Sequence, residues 1–172
     1  MTTNDTPYFL AGPYTEIAFL EVPEVPTVVG AFTDFPMANM AEAFDSTFTA
    51  LFPVLGDQGI QPAGPGFSLH TRMPADTVDM EVGIPVDRVL RDSVTSGSGV
   101  TLRPSRLPAG RVAIVSHLGS YDGLGEAWGT FMQGVADAGH SPALPFWEIY
   151  VTEPSPEADP ASMRTDLVTL LG

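Results

Sequence analysis

The chain has 172 residues, 44% of them hydrophobic, enough to bury one sizeable core without covalent staples. It has no cysteine, which excludes disulfides, thiolate metal sites and cysteine nucleophiles, and its three histidines (His70, His117, His140) lack metal-ligand spacing. Twenty-one acids stand against seven arginines and no lysine, a formal net charge of −14 that repels nucleic-acid backbones and concentrates cationic small molecules.

The polar start Met1-Thr-Thr-Asn-Asp has neither a charged n-region nor an apolar h-region, and no apolar run is long enough to span a membrane. A cytoplasmic location is expected. Thr27-Val-Val-Gly-Ala-Phe-Thr33 then reads as a strand. Met37, Met40, Ala41, Phe44, Phe48, Leu51, Phe52 and Leu55 recur at three- and four-residue spacing and predict an amphipathic helix over about 38–55, closed by Pro53 and Gly56. A hairpin follows, about 66–73 with 78–86, in which Met80, Val82, Ile84 and Val86 alternate with Asp79, Glu81, Gly83 and Pro85. Asp92-Ser-Val-Thr-Ser-Gly-Ser-Gly99 has the chemistry of a flexible joint.

The second half restates this order. Arg111-Val-Ala-Ile-Val-Ser-His117 reads as a strand, and Leu124, Ala127, Trp128, Phe131, Met132 and Val135 predict a helix over about 122–138, stopped at Gly139. A hairpin of about 146–152 with 164–171 spans the loop from Glu153 to Pro160. The restatement is visible in the residues. Gly59, Pro62, Ala63, Pro65 and Phe67 recur 80 positions later as Gly139, Pro142, Ala143, Pro145 and Trp147, and Phe48 overlays Trp128.

The pattern predicts an α+β fold: one domain over 1–172, made of two strand-helix-strand-strand repeats of about 14–91 and 100–171, related by an approximate two-fold axis. The simplest arrangement lays both helices on one face of antiparallel sheets, with Phe48 and Trp128 packed beneath as core, and leaves the other face free as a ligand cleft. Strand side chains alternate, so Phe146, Glu148 and Tyr150 share the cleft face, while Trp147 and Ile149 face the helix. By the repeat, Ser68 and His70 line the cleft and Phe67 and Leu69 do not.

The two copies differ where Ser68 becomes Glu148, a carboxylate among aromatics. In a cleft it is a counter-ion or a general base; on an exposed strand face it is only solvated. Phe146 and Tyr150 supply ring faces for planar or cationic ligands, with core packing as the alternative. Tyr121, opening the second helix, is placed to drop its hydroxyl into the cleft or to cap and pack. His70 lines the wall of the first half or lies exposed on its strand. Asp79 and Glu81 add charge to the cleft or form a solvated face. Ser116 followed by His117 is no nucleophile and base, because adjacent strand residues point opposite ways and no nucleophile elbow is present.

The run from Leu107 to Leu124, the segment Trp147-Glu-Ile-Tyr-Val-Thr152 and the segment Met80-Glu-Val-Gly-Ile-Pro-Val86 resemble the GyrI-like small-molecule-binding superfamily over about 14–171. The resemblance implies a duplicated unit with a groove between its halves. It also implies a pocket acid at Glu148 that contacts cationic or aromatic ligands. Members of the family include effector domains of multidrug-sensing regulators, stand-alone binders, inhibitors of DNA gyrase, and hydrolases of cyclopropane-bearing genotoxins. Only about a dozen residues precede the first strand, which leaves no room for the regulators' helix-turn-helix and points to a stand-alone binder that needs no cofactor. The alternatives are a hydrolase with Glu148 activating or positioning water and Tyr150 or Tyr121 assisting the leaving group, and a protein that inhibits gyrase through its acidic surface.

Overall fold

The computed structural model describes residues 7–97, 99–152 and 159–172. The start Met1 to Asp5 and most of the loop between the last two strands lie outside them. Strands β1 (Ala18–Val22) and β2 (Val25–Pro36) precede helix α1 (Met40–Gln58), and hairpin β3 (Phe67–His70) and β4 (Thr77–Pro85) follows it. The second half contains β5 (Val94–Thr95), β6 (Thr101–Leu107), β7 (Gly110–Leu118), helix α2 (Leu124–Asp137), β8 (Pro142–Tyr150) and β9 (Arg164–Leu171). The fold is α+β, as the periodicities predict.

The nine strands among the described residues join one antiparallel sheet in the order β1-β7-β9-β8-β3-β4-β2-β6-β5. Its centre is the β3/β8 pair, where Ser68 lies opposite Glu148 and His70 opposite Phe146. Outward from that centre, β8-β9-β7-β1 on one side answers β3-β4-β2-β6 on the other. The outer strands are exchanged between the halves: β1 pairs with β7, and β6 pairs with β2. Gly83 serves the close packing of this sheet, since a side chain there would run into the Val28 carbonyl oxygen.

Helix α1 runs through Pro53 rather than ending there, and stops at Gly59 in the left-handed conformation (φ 67°). Pro53 is tolerated because it lies on the exposed side, where the carbonyl it leaves without a donor meets water. A 3-10 turn leads into each helix, Met37–Asn39 and Tyr121–Gly123.

The faces of the sheet differ from the arrangement expected above. Phe67, Leu69, Trp147 and Ile149 do share a face, but it is the face without helices, where Val29, Val112, Ile114 and Val168 complete a core. Tyr8 and Phe9, preceding β1, cover it. Tyr14 is pinned there by its N–H to Ser116 Oγ (2.8 Å), and Arg164 holds the buried Asp166 close by (2.8 Å). The helices lie on the opposite face: Leu51 and Leu55 of α1 pack on Val28, Ile84 and Leu102, and Phe131 and Val135 of α2 on Ala113 and Leu167. Helix α1 rests on β2 and β4, and α2 on β7 and β8. The floor between the helices is therefore left open, and the cleft lies on the helical face. Strand parity is correct, but helix and cleft share a side.

Candidate functional site

The open floor is the base of a cleft of about 1320 Å³. That exceeds the roughly 300–1,000 Å³ of ordinary small-molecule pockets. Helix α1 presents Met40, Phe44 and Phe48 to it, α2 presents Leu124, Trp128 and Met132, and β8 presents Phe146, Glu148 and Tyr150. Phe44 and Phe48 are one helical turn apart and nearly parallel (6.4 Å between ring centres, 6°). Phe44 and Tyr121 each meet the Tyr150 ring edge-on, at 5.6 and 5.9 Å. The methionines add polarizable, adaptable surface suited to ligands of varied shape.

Glu148 stands on this apolar floor, held from two sides. Its Oε2 accepts the Trp128 indole N–H at 2.6 Å, and its Oε1 accepts the Tyr150 hydroxyl at 2.7 Å. A tyrosine has one hydroxyl hydrogen, and Tyr150 gives it to Glu148, so the 2.8 Å bond between Ser68 Oγ and the Tyr150 hydroxyl is donated by Ser68. Burial, and then the charge of Glu148, push the Tyr150 hydroxyl well above its ordinary pKa; the same two causes raise Tyr121. Tyr150 therefore remains a donor across the physiological range.

The cleft is electrostatically one-sided. Among the described residues its lining includes the acids Glu148 and Asp45 and no arginine. Among the described residues, Glu148 has no ion-pair partner: the arginines in salt bridges pair with acids elsewhere. Asp79 and Glu81, considered above as cleft charges, are engaged by Arg72 (3.2 Å) and Arg103 (2.9 Å). A carboxylate held by neutral donors, with no cation beside it, is left to meet a charged ligand, and the rings around it offer faces for cation–π contact.

Glu148, Phe146, Tyr150, Tyr121 and His70 all reach the cleft. Ser68 does not: it is wholly buried behind Tyr150 and acts through that hydroxyl. His70 is buried, not exposed on its strand, and stacks on Phe146 at 5.1 Å. Trp128 and Phe48, expected beneath the sheets, are half-buried cleft walls. The sequence signal for Trp128 was its helical phase, which puts it on the same stripe as the buried Phe131 and Val135 and so conceals its second role. Ser116 Oγ donates to Asp166 (2.6 Å), and the His117 ring bonds the Ser120 carbonyl (2.9 Å), which separates them into two structural contacts. Among the described residues no group of three or more His, Asp or Glu could hold a metal ion. No helix among them is long and apolar enough to cross a membrane.

The family model described as GyrI-like small molecule binding domain matches residues 15–169. The chain belongs to the GyrI-like family. No curated protein sequence matches it. Among solved structures, the EcmrR C-terminal domain superposes with a TM-score of 0.68 at 20% identity, covering 91% of this chain and 97% of that domain. The chain spans 57% of the EcmrR chain in a cryo-EM EcmrR–DNA complex, at TM-score 0.69 and 20% identity over 91% of its own length. A hydrolase from Listeria innocua matches at TM-score 0.63 and 14% identity, over 94% of each chain. SAV2435 bound to tetraphenylphosphonium matches at TM-score 0.61 and 10% identity, over 92% of this chain and 94% of that one. At these identities the likeness shows that the GyrI-like fold is shared.

Proposed function

We propose that this GyrI-like domain captures amphipathic cationic or aromatic small molecules, of the kind met as drugs or toxins, with Glu148 as counter-ion. The observation that carries the reading is the carboxylate of Glu148, without an ion-pair partner among the described residues and fixed by Trp128 and Tyr150 on the floor of an aromatic cleft whose described lining contains no arginine. The two repeats, about 14–91 and 100–171, each contribute one helical wall and half the floor. Tetraphenylphosphonium, the ligand of one protein of like fold, is a fitting probe.

The test compares tetraphenylphosphonium with triphenylphosphine oxide, a neutral aryl compound, by calorimetric titration of the wild-type protein and Glu148→Gln. Losing a bond to a charged partner in a partly desolvated site costs about 1.5–3 kcal/mol, so the cation should weaken about tenfold to a hundredfold and the neutral compound little. Equal weakening of both would refute the counter-ion role.

The chain of bonds from Ser68 through Tyr150 to Glu148 supports a second reading, a hydrolase of strained electrophiles such as cyclopropanes. There Glu148 activates or positions water, and a protonated Tyr150 or Tyr121 assists the leaving group. Mass analysis of such a compound after incubation decides it: turnover abolished by Glu148→Gln favours the hydrolase, and an unchanged compound favours capture.

A further inference from the structure

The cleft contains a second polar group apart from the Glu148 cluster. His70, on β3, is 5% exposed, yet its ring reaches the cleft wall. It lies almost parallel to Phe146, with 11° between the ring planes. Neither ring nitrogen has a hydrogen-bond partner among the described residues: Nδ1 is sealed from solvent and so from the cleft, while Nε2 is not sealed. Nε2 is therefore the nitrogen that a molecule in the cleft can reach, an unpartnered polar atom on a mostly apolar wall, where a hydrogen bond to it discriminates between ligands.

The ring is suited to that bond. Burial lowers the His70 pKa to about 4, so the imidazole is neutral near pH 7, with one nitrogen donating and the other accepting. It neither neutralises Glu148 nor repels a cation bound there. Its position is set by the register: His70 is opposite Phe146, and Glu148 lies two residues further along β8 on the same face. Such diagonal neighbours in antiparallel strands are roughly 7–8 Å apart.

We propose that His70 is a specificity-determining residue that hydrogen-bonds, through Nε2, a hydroxyl or N–H group on the aromatic body of a ligand whose cationic centre lies at Glu148. The cleft then selects aryl cations that bear one polar substituent over plain lipophilic cations. This selection rests on cation capture at Glu148 and goes beyond it, since charge and aromatic surface alone do not distinguish a hydroxyl from a methyl group.

Three probes separate the contributions: tetraphenylphosphonium, its analogue with a meta-hydroxyl on one ring, and its analogue with a meta-methyl group there as shape control. Each is titrated by calorimetry into the wild type, Glu148→Gln and His70→Phe, the last of which keeps a ring against Phe146. The wild type should prefer the hydroxyl to the methyl analogue about two- to tenfold, the range of one neutral hydrogen bond. His70→Phe should bring that ratio to about one, the ratio being taken within each protein so that any general change in cation affinity cancels. If circular dichroism shows His70→Phe unfolded, His70→Leu replaces it, and the wild-type ratio decides without any variant. A wild-type ratio near one, or a preference that survives loss of the imidazole, overturns the role of His70 while cation capture stands. If tetraphenylphosphonium binds the wild type and Glu148→Gln alike, or not at all, cation capture falls and the His70 selection with it.

Discussion

The chain Ser68–Tyr150–Glu148 can be dismantled one atom at a time. Tyr150→Phe deletes a hydroxyl and keeps the ring between Phe44 and Tyr121. Two groups lose a partner. Glu148 faces the cleft, where water replaces the lost donor at Oε1. Ser68 is wholly buried, and its hydroxyl bonds only Tyr150 among the described residues, so it is orphaned at a cost of about 1–3 kcal/mol. Ser68→Ala takes away one donor and leaves Tyr150 bonded to Glu148, costing about 1 kcal/mol. In the double variant nothing is orphaned at position 68, so it should be more stable than the sum of the single losses implies, by about 1 kcal/mol. Tyr150→Phe should also lower Tm by roughly 3–10 °C, at about 2–4 °C per kcal/mol for a chain of this size. Urea unfolding of the four proteins, followed by far-UV circular dichroism, measures the cycle. Additivity within about 0.3–0.5 kcal/mol would refute the relay through Ser68.

Of the two tryptophans, Trp128 lines the cleft and Trp147 is buried on the opposite face. Ligand-dependent quenching of intrinsic fluorescence should therefore vanish in Trp128→Phe; quenching that persists would place the ligand elsewhere. Trp128→Ala should cost less than the about 3–5 kcal/mol of an emptied core site, because the ring is only half-buried; urea midpoints measure this. Asp166→Ala leaves the mostly buried Arg164 without its partner and should cost about 3–5 kcal/mol in urea unfolding while tetraphenylphosphonium still binds, since the pair lies on the face away from the cleft. His70 binds its proton more weakly folded (about 4) than unfolded (6.5), so its contribution to stability is whole above pH 6.5 and is lost as pH falls towards 4. Between pH 6.5 and 5 the wild type should lose up to about 1.4 kcal/mol per pH unit more than His70→Phe; parallel curves would show that His70 does not titrate this way.

The sequence by itself determined both helices, the strands β2, β3, β4, β7, β8 and β9, and which residues share a face within them; it did not show β1 or β6, and it read the segment that contains β5 as a flexible joint. Three- and four-residue spacing placed both helices, alternation placed both hairpins, and strand parity put Phe146, Glu148 and Tyr150 on one face and Trp147 and Ile149 on the other. These properties are local, fixed by backbone geometry over a few residues. The contrast of Ser68 with Glu148 in otherwise similar segments also singled out Glu148, since a carboxylate amid aromatic residues stands out without any structure. Tertiary structure decided which face carried the helices. Parity groups side chains without saying what covers them, and an apolar helical stripe looks the same whether it meets a core or lines a cleft; Phe48 and Trp128 were misplaced for that reason. The exchange of β1 and β6 between the halves, the cover of Tyr8 and Phe9 over the far face, and the burial of Ser68 behind Tyr150 depend on contacts between residues distant in the chain. The cleft is open because α1 packs on β2 and β4 and α2 on β7 and the near side of β8, which leaves the floor between the two helices bare, a consequence of strand order that no stretch of sequence contains.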